Sequence, residues 1–193
     1  MDAEAHAGLG FALAHDGDLK QAEAEFVEAL RLNPSSADVL TRYAFWASGF
    51  GKPDEGAAMA ERAMRLNPNA PPWAIRFLRS AFLTAGQYER ALEVHQRLPK
   101  EMFADADYIE AAEILIAAHQ AEAARAIVGE ALAAYPTITI ESWTGDPGWN
   151  EAERRKAVAL MREAGFPACA SKAELEKGGI VVRLPECAAK PAS

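Results

Sequence analysis

The sequence predicts an all-α protein, an α-solenoid of about four helix-turn-helix repeats followed by a C-terminal capping helix and a mixed tail. Three observations lead there. Alanine, leucine, glutamate and arginine dominate while β-branched residues are sparse before residue 137, a balance that favours helix over sheet. "EALRLNP" at 28–34 recurs as "RAMRLNP" at 62–68, so Pro34 and Pro68 stand 34 residues apart, a period of stacked helix pairs. Gly17, Gly51 and Gly86 share one place in successive units, just past a first helix, where a residue free to take φ > 0 lets the chain turn back.

In register, "AHDGDLKQA" (14–22), "SGFGKPDEG" (48–56), "LTAGQYERA" (83–91) and "IAAHQAEAA" (116–124) are the turns inside the four pairs. His119 takes the glycine's place in the fourth, so that turn is less well specified. "SGFGKPDEG" imitates a phosphate loop but fails its requirements. The pattern needs a glycine where Trp46 stands and a hydroxyl where Pro53 stands, and the dinucleotide pattern would set Asp54 against a pyrophosphate. Pro53 instead suits the first turn of the next helix, and Lys52 is expected at the surface. "HQRLPKE" shortens or bends the second helix of the third pair at Pro99. Residues 137–149 form a linker. "NEAERRKAVALMREAG" (150–165) follows as an amphipathic cap with Ala157, Val158, Leu160 and Met161 on one side, stopped by Gly165 and Pro167. In the tail, Ser171 ahead of Glu174 announces one short helix, and "GIVVRLPE" reads as an extended piece that docks back or trails. The organisation expected is therefore a repeat array over 1–136, a linker and capping helix over 137–166, and a partly extended tail over 167–193.

Leu9, Gly10, Leu13, Ala22, Phe26, Ala29 and Pro34 in the first unit stand where the signature residues of the tetratricopeptide repeat stand, and the chain resembles that family over residues 3–136. Tyr43, Ala44, Ala60, Ala63 and Pro68 continue the match, with Gly56 where the family prefers alanine. Leu78, Phe82, Gly86, Tyr88 and Ala91 follow in the third unit, then Tyr108, Ala112, Leu115, Ala124, Ala131 and Pro136 in the fourth. The resemblance implies a right-handed solenoid whose concave groove holds an extended or helical peptide. Repeat register assigns Phe11, Thr41, Phe45, Trp73, Arg76, Ser80, Ile109 and Glu113 to that groove. Phe11, Phe45 and Trp73 exposed together would form an apolar patch with aromatic anchors; the alternative is that they pack against neighbouring helices or the protein's own tail. Trp46 and Phe50 are expected in the core. Family members that clamp a chaperone's C-terminal carboxylate use Lys, Asn and Arg where this chain has Ala7, Phe11, Thr41 and Phe45. A ligand here should accordingly be more apolar than a run of acidic residues. The stretch "PPWAIRFLRSAFLTAGQYERAL" with the later "MREAGFP" is also similar to the C-terminal repeat regions of bacterial class III adenylate/guanylate cyclases. That similarity implies a regulatory or scaffolding part of a signalling protein, either a fragment or a stand-alone relative.

The formal charge of −8 belongs to residues 1–136, which hold 12 basic and 20 acidic side chains against 8 of each in the rest. Such a body is a poor match for a phosphate backbone, so no nucleic-acid partner is expected. No apolar run approaches the roughly 20 residues that span a bilayer, and the N-terminus lacks the order of a signal peptide. A cytoplasmic protein without a membrane partner is expected. Cys169 and Cys187 both lie in the tail and read as free thiols, with a tail disulfide as the other reading. His6, His15, His95 and His119 are scattered without ligand spacing, and no nucleophile motif appears. No metal, cofactor or catalytic residue is expected. The functional expectation is a non-enzymatic module that binds a protein or peptide in the groove. The alternative is the cyclase-type regulatory piece, its groove filled by its own tail or by a second copy in a homodimer.

Overall fold

The computed structural model describes residues 2–147, 149 and 151–189, which form twelve α-helices, a 3-10 turn and no strand. Four antiparallel pairs come first: α1 (Ala3–His15) with α2 (Leu19–Leu32), α3 (Ala37–Trp46) with α4 (Pro53–Leu66), α5 (Pro72–Thr84) with α6 (Tyr88–His95), and α7 (Asp105–Ala117) with α8 (Ala121–Ala134). The short α9 (Ile140–Thr144), then α10 (Glu151–Ala164), α11 (Lys172–Glu176) and α12 (Pro185–Ala188) complete the order. Two compact units result, Met1–Met102 and Phe103–Ser193, the first holding three pairs and the second one pair with the C-terminal elements. Asn150, the expected first residue of the capping helix, and tail residues 190–193 lie outside the described residues.

Helix starts follow local chemistry. The side chains of Asp2, Asp18 and Ser36 accept from the backbone N–H groups of Ala5, Gln21 and Val39, satisfying donors that the first turn leaves unpaired. Pro53 and Pro72 begin α4 and α5, where a missing N–H removes no hydrogen bond. Helix α6 ends at His95, four residues before Pro99, and a 3-10 turn at Lys100–Met102 follows, as the proline led us to expect.

Gly17, Gly51 and Gly86 adopt φ of +86°, +75° and +73° at the pair turns, and His119 adopts +60° at the same place. A side chain bearing Cβ in that region is disfavoured by about 1–2 kcal/mol. The exposed His119 ring has no packing role to offset this. We therefore expect His119→Gly to raise the stability of the α7–α8 pair by about 1 kcal/mol, read as a higher denaturation midpoint at unchanged m-value.

In the first unit, Ala7, Phe26, Ala29, Val39, Tyr43 and Ala47 form a buried cluster, with Phe50 packed on it at 6.2 Å from Phe26 and 5.9 Å from Tyr43. Gly56 has its family departure explained by this packing. A Cβ there would meet Ala47 Cβ at 2.7 Å and the Ala44 carbonyl at 2.9 Å, so α3 and α4 cross too closely for alanine. Lys52 is exposed, as expected, and its ammonium lies 2.5 Å from Glu23 on α2. This hydrogen bond, with the Glu23 charge, raises its pKa. The cation of the pseudo phosphate loop thus serves a carboxylate of the chain itself.

In the second unit, α10 packs along α7 and α8, with Ala157, Met161 and Ala164 buried. The expected linker contains α9, which sequence patterning did not reveal. Thr139 and Ser142 cap it reciprocally: the Thr139 N–H donates to Ser142 Oγ at 2.8 Å, and the Ser142 N–H to Thr139 Oγ1 at 2.9 Å. Glu141 on α9 is fully buried and gathers the tail. Its Oε2 accepts from the Ala170 N–H at 2.9 Å, and its Oε1 accepts from Arg183 Nε at 2.7 Å and the Leu184 N–H at 3.0 Å. The Val181 and Val182 N–H groups donate to the Gly145 carbonyl, so the expected extended piece docks back.

The cysteines are paired, which corrects their reading as free thiols. Cys169 and Cys187 form a disulfide with their Cα atoms 5.4 Å apart. The pairing follows from Glu141, which fixes residues 170 and 183–184 at one carboxylate and so brings the flanking cysteines together. The bond closes a loop of 18 residues, for which chain entropy gives about 3 kcal/mol. Reduction should destabilise the C-terminal unit by roughly that amount, seen as a lower melting temperature in reductant. A Cys169→Ser, Cys187→Ser variant should melt identically with and without reductant.

Candidate interaction surface

Helices α1, α3 and α5, the first members of successive pairs, are neighbours. Positions spaced by three and four residues share a helix face, and on these helices the shared faces carry aromatic rings. Phe77 on α5 is the centre. It stacks on Phe45 of α3 at 4.2 Å between centroids and 18° between planes, and lies nearly parallel to Phe11 of α1 at 5.7 Å and 16°. Trp73, one turn earlier on α5, meets Phe77 edge-on at 5.7 Å. Trp46 meets Phe11 at 6.0 Å and Phe45 at 5.3 Å, both edge-on, and the exposed His15 ring adds contacts with Phe11 and Trp46. Offset-stacked and edge-to-face pairs of this kind contribute about 0.5–1.5 kcal/mol each beyond their buried area. The guanidinium carbon of Arg42 lies 5.4 Å from the Phe11 centroid and 5.4 Å from that of Trp73, one cation served by rings of two other helices.

Phe11, Phe45, Trp73, Phe77 and Arg42 are half-buried: they support one another and still present surface. Three sequence-assigned residues, Phe11, Phe45 and Trp73, are thus brought into one cluster. Arg76 and Ser80 are half-buried on α5, and Arg76 donates to the Met102 carbonyl at 2.6 Å. Thr41 differs from its assignment. It is buried, and its hydroxyl donates to the Ala37 carbonyl at 2.7 Å, back-bonding its own helix. Ile109 and Glu113 are also buried, at 2% and 6% exposure, so they present no groove surface. Residues 111–116 are buried without a break, which leaves that stretch of α7 no open face. Trp46, expected in the core, is half-buried; its indole nitrogen is buried and, among the described residues, without a hydrogen-bond partner.

Repeat register missed Arg42, Phe77 and His15. A signal existed: Phe77 follows Trp73 by four residues and Arg42 precedes Phe45 by three, the spacings of side chains on one helix face. Among the described residues no cluster of three or more His, Cys, Asp or Glu is placed to hold a metal ion. An open cleft of about 440 Å³ beside the start of α1 and the end of α2 is lined by Asp2, Ala3, Glu4, Leu32 and Asn33. No helix among the described residues is long and apolar enough to cross a membrane.

Stacked helix pairs bearing an aromatic face on their first members define a helical-repeat protein. Residues 3–36 match the family described as Tetratricopeptide repeat; the chain carries that repeat, and its fold is that of tetratricopeptide-repeat proteins. Among solved structures it is similar to MamA 41-end from Desulfovibrio magneticus RS-1, at TM-score 0.61 and 15% identity over 91% of this chain and 95% of that one. It is similar to Pseudomonas aeruginosa PilF at TM-score 0.59 and 15% identity, covering 84% of this chain and 74% of that one. YrrB, titled a TPR protein with an unusual peptide-binding site, matches at TM-score 0.58 and 19% identity over 84% of each chain. No curated protein matches the sequence.

Proposed function

We propose that this chain is a non-enzymatic interaction module that binds a peptide or protein segment on the face of α1, α3 and α5. The observation that carries the reading is the half-buried ring cluster of Phe11, Phe45, Trp73 and Phe77, contributed by three successive pairs. Large, stiff aromatic side chains lose little entropy on binding and dominate interface energetics. An array that exposes them at consecutive positions offers an extended segment several anchor points in a row. The fold supports the reading: tetratricopeptide-repeat proteins serve as protein-interaction modules, and YrrB is titled with a peptide-binding site.

A pull-down from the source organism tests the proposal, comparing the wild type with a Phe11→Ala, Phe45→Ala, Trp73→Ala variant of equal helicity. The variant should lose the specific partners. Identical partner lists would sink the proposal.

A further inference from the structure

Several arginines of the first unit have carbonyl or carboxylate partners. Arg31 pairs with Glu28, Arg90 with Glu61, Arg62 with the Pro34 carbonyl and Arg76 with the Met102 carbonyl. Arg42 differs. Among the described residues no carboxylate or carbonyl pairs with it, although Asp38 stands one turn earlier on α3 at a spacing that commonly supports an ion pair. Its guanidinium is held instead by Phe11 and Trp73, each with a centroid 5.4 Å away. A cation–π contact uses the attraction of the charge and no N–H donor. Arginine has five donors in a planar fork, and here the fork remains available in the middle of an apolar face. The geometry is that of a receptor for one planar anion. An acidic ligand group would complement this cation, whose charge stands on an apolar ring patch.

Resting on the interaction-module reading above, we propose that the segment bound on this face carries a single carboxylate, from Asp, Glu or a chain end, flanked by apolar side chains. The carboxylate pairs with Arg42 through the in-plane N–H groups, while the neighbouring side chains pack on Phe45, Phe77 and Trp73. A charged hydrogen bond among rings is stronger than one in open water, since the surroundings screen it less. A polyacidic run is disfavoured, because the rings on both sides of Arg42 would desolvate the additional charges.

The test starts from a display library of random peptides about twelve residues long, panned on the full chain. The best peptide is synthesised in carboxylate form and with Asp→Asn, Glu→Gln or an amidated end. Affinities are read by fluorescence polarisation against the wild type, Arg42→Gln and Phe45→Ala, Trp73→Ala. Selected peptides should place one acidic group beside aromatic or aliphatic residues. The carboxamide form should bind the wild type about tenfold or more weakly, the usual size for a charged hydrogen bond, and Arg42→Gln should no longer distinguish the two forms. The wild-type comparison of the two peptides needs no variant to fold. Equal binding of both forms, or a carboxylate preference that survives Arg42→Gln, overturns the Arg42 inference; if Phe45→Ala, Trp73→Ala still abolishes binding, the interaction-module reading stands. No selected peptide, or binding indifferent to the Phe45 and Trp73 substitutions, overturns both.

Discussion

Glu141→Ala should destabilise the C-terminal unit by about 3–5 kcal/mol, the cost typical of breaking a buried ion pair from one side. The carboxylate is fully buried and accepts from Ala170, Leu184 and Arg183, while Arg183 is 29% exposed at its side chain. Water reaching the guanidinium will rehydrate part of the orphaned charge, so we place the effect toward 3 kcal/mol. The two backbone N–H groups will be left without their acceptor, about 1–3 kcal/mol each where burial persists. Glu141→Gln should recover little. Both carboxylate oxygens accept from N–H donors, and an amide must turn its NH2 toward one of them. The measurement is thermal or denaturant unfolding with amide exchange at Ala170, Val182 and Leu184, in oxidised and reduced protein. Because the disulfide tethers the same tail, the two effects should be non-additive. A change within about 0.5 kcal/mol, the range of ordinary surface substitutions, would remove Glu141 from its organising role.

The largest effect on binding is expected from the ring cluster. Phe11→Ala, Phe45→Ala and Trp73→Ala together should weaken a selected peptide at least a hundredfold, since each anchor of this type is typically worth about 2 kcal/mol or more. The three substitutions differ in what else they disturb. Phe11 and Trp46 pack against the buried cluster of the first unit, so Phe11→Ala will also lower stability. Phe45 and Trp73 are held mainly by Phe77, Trp46 and Arg42. The Phe45→Ala, Trp73→Ala pair is therefore the cleaner variant: binding should fall steeply while helicity and unfolding midpoint change little. Binding lost only in step with stability would mean the rings serve packing alone.

The repeat was legible because stacking imposes chemistry at fixed intervals. Glycine at the pair turns and small residues at the crossings of α1–α2 and α3–α4 are requirements of backbone geometry, and so they show in a single sequence. Where the chain departs from them, the structure shows the consequence: His119 takes the left-handed conformation despite its Cβ, and Gly56 stands where an alanine Cβ would meet Ala47 and the Ala44 carbonyl. The C-terminal organisation was less legible. "TITIESWT" looks like a linker because its β-branched residues disfavour helix, yet the Thr139–Ser142 capping box nucleates α9. Cysteine pairing depended on Glu141, an acceptor shared by segments about thirty to forty residues away, which no local pattern encodes. Strict register named Phe11, Phe45 and Trp73, whose rings cluster about Phe77, and passed over Arg42 and Phe77, because it followed one column of the repeat and not the neighbouring turn. It also carried Ile109 and Glu113 into a groove, although both are buried.

Chemical-shift mapping of a selected peptide on the isotopically labelled full chain tests the central claim most directly. Titration should shift the aromatic resonances of Phe11, Phe45, Trp73 and Phe77 and the guanidinium of Arg42, with one common affinity. Shifts confined to residues beyond Phe103, or none on α1, α3 and α5 at saturating peptide, would contradict it.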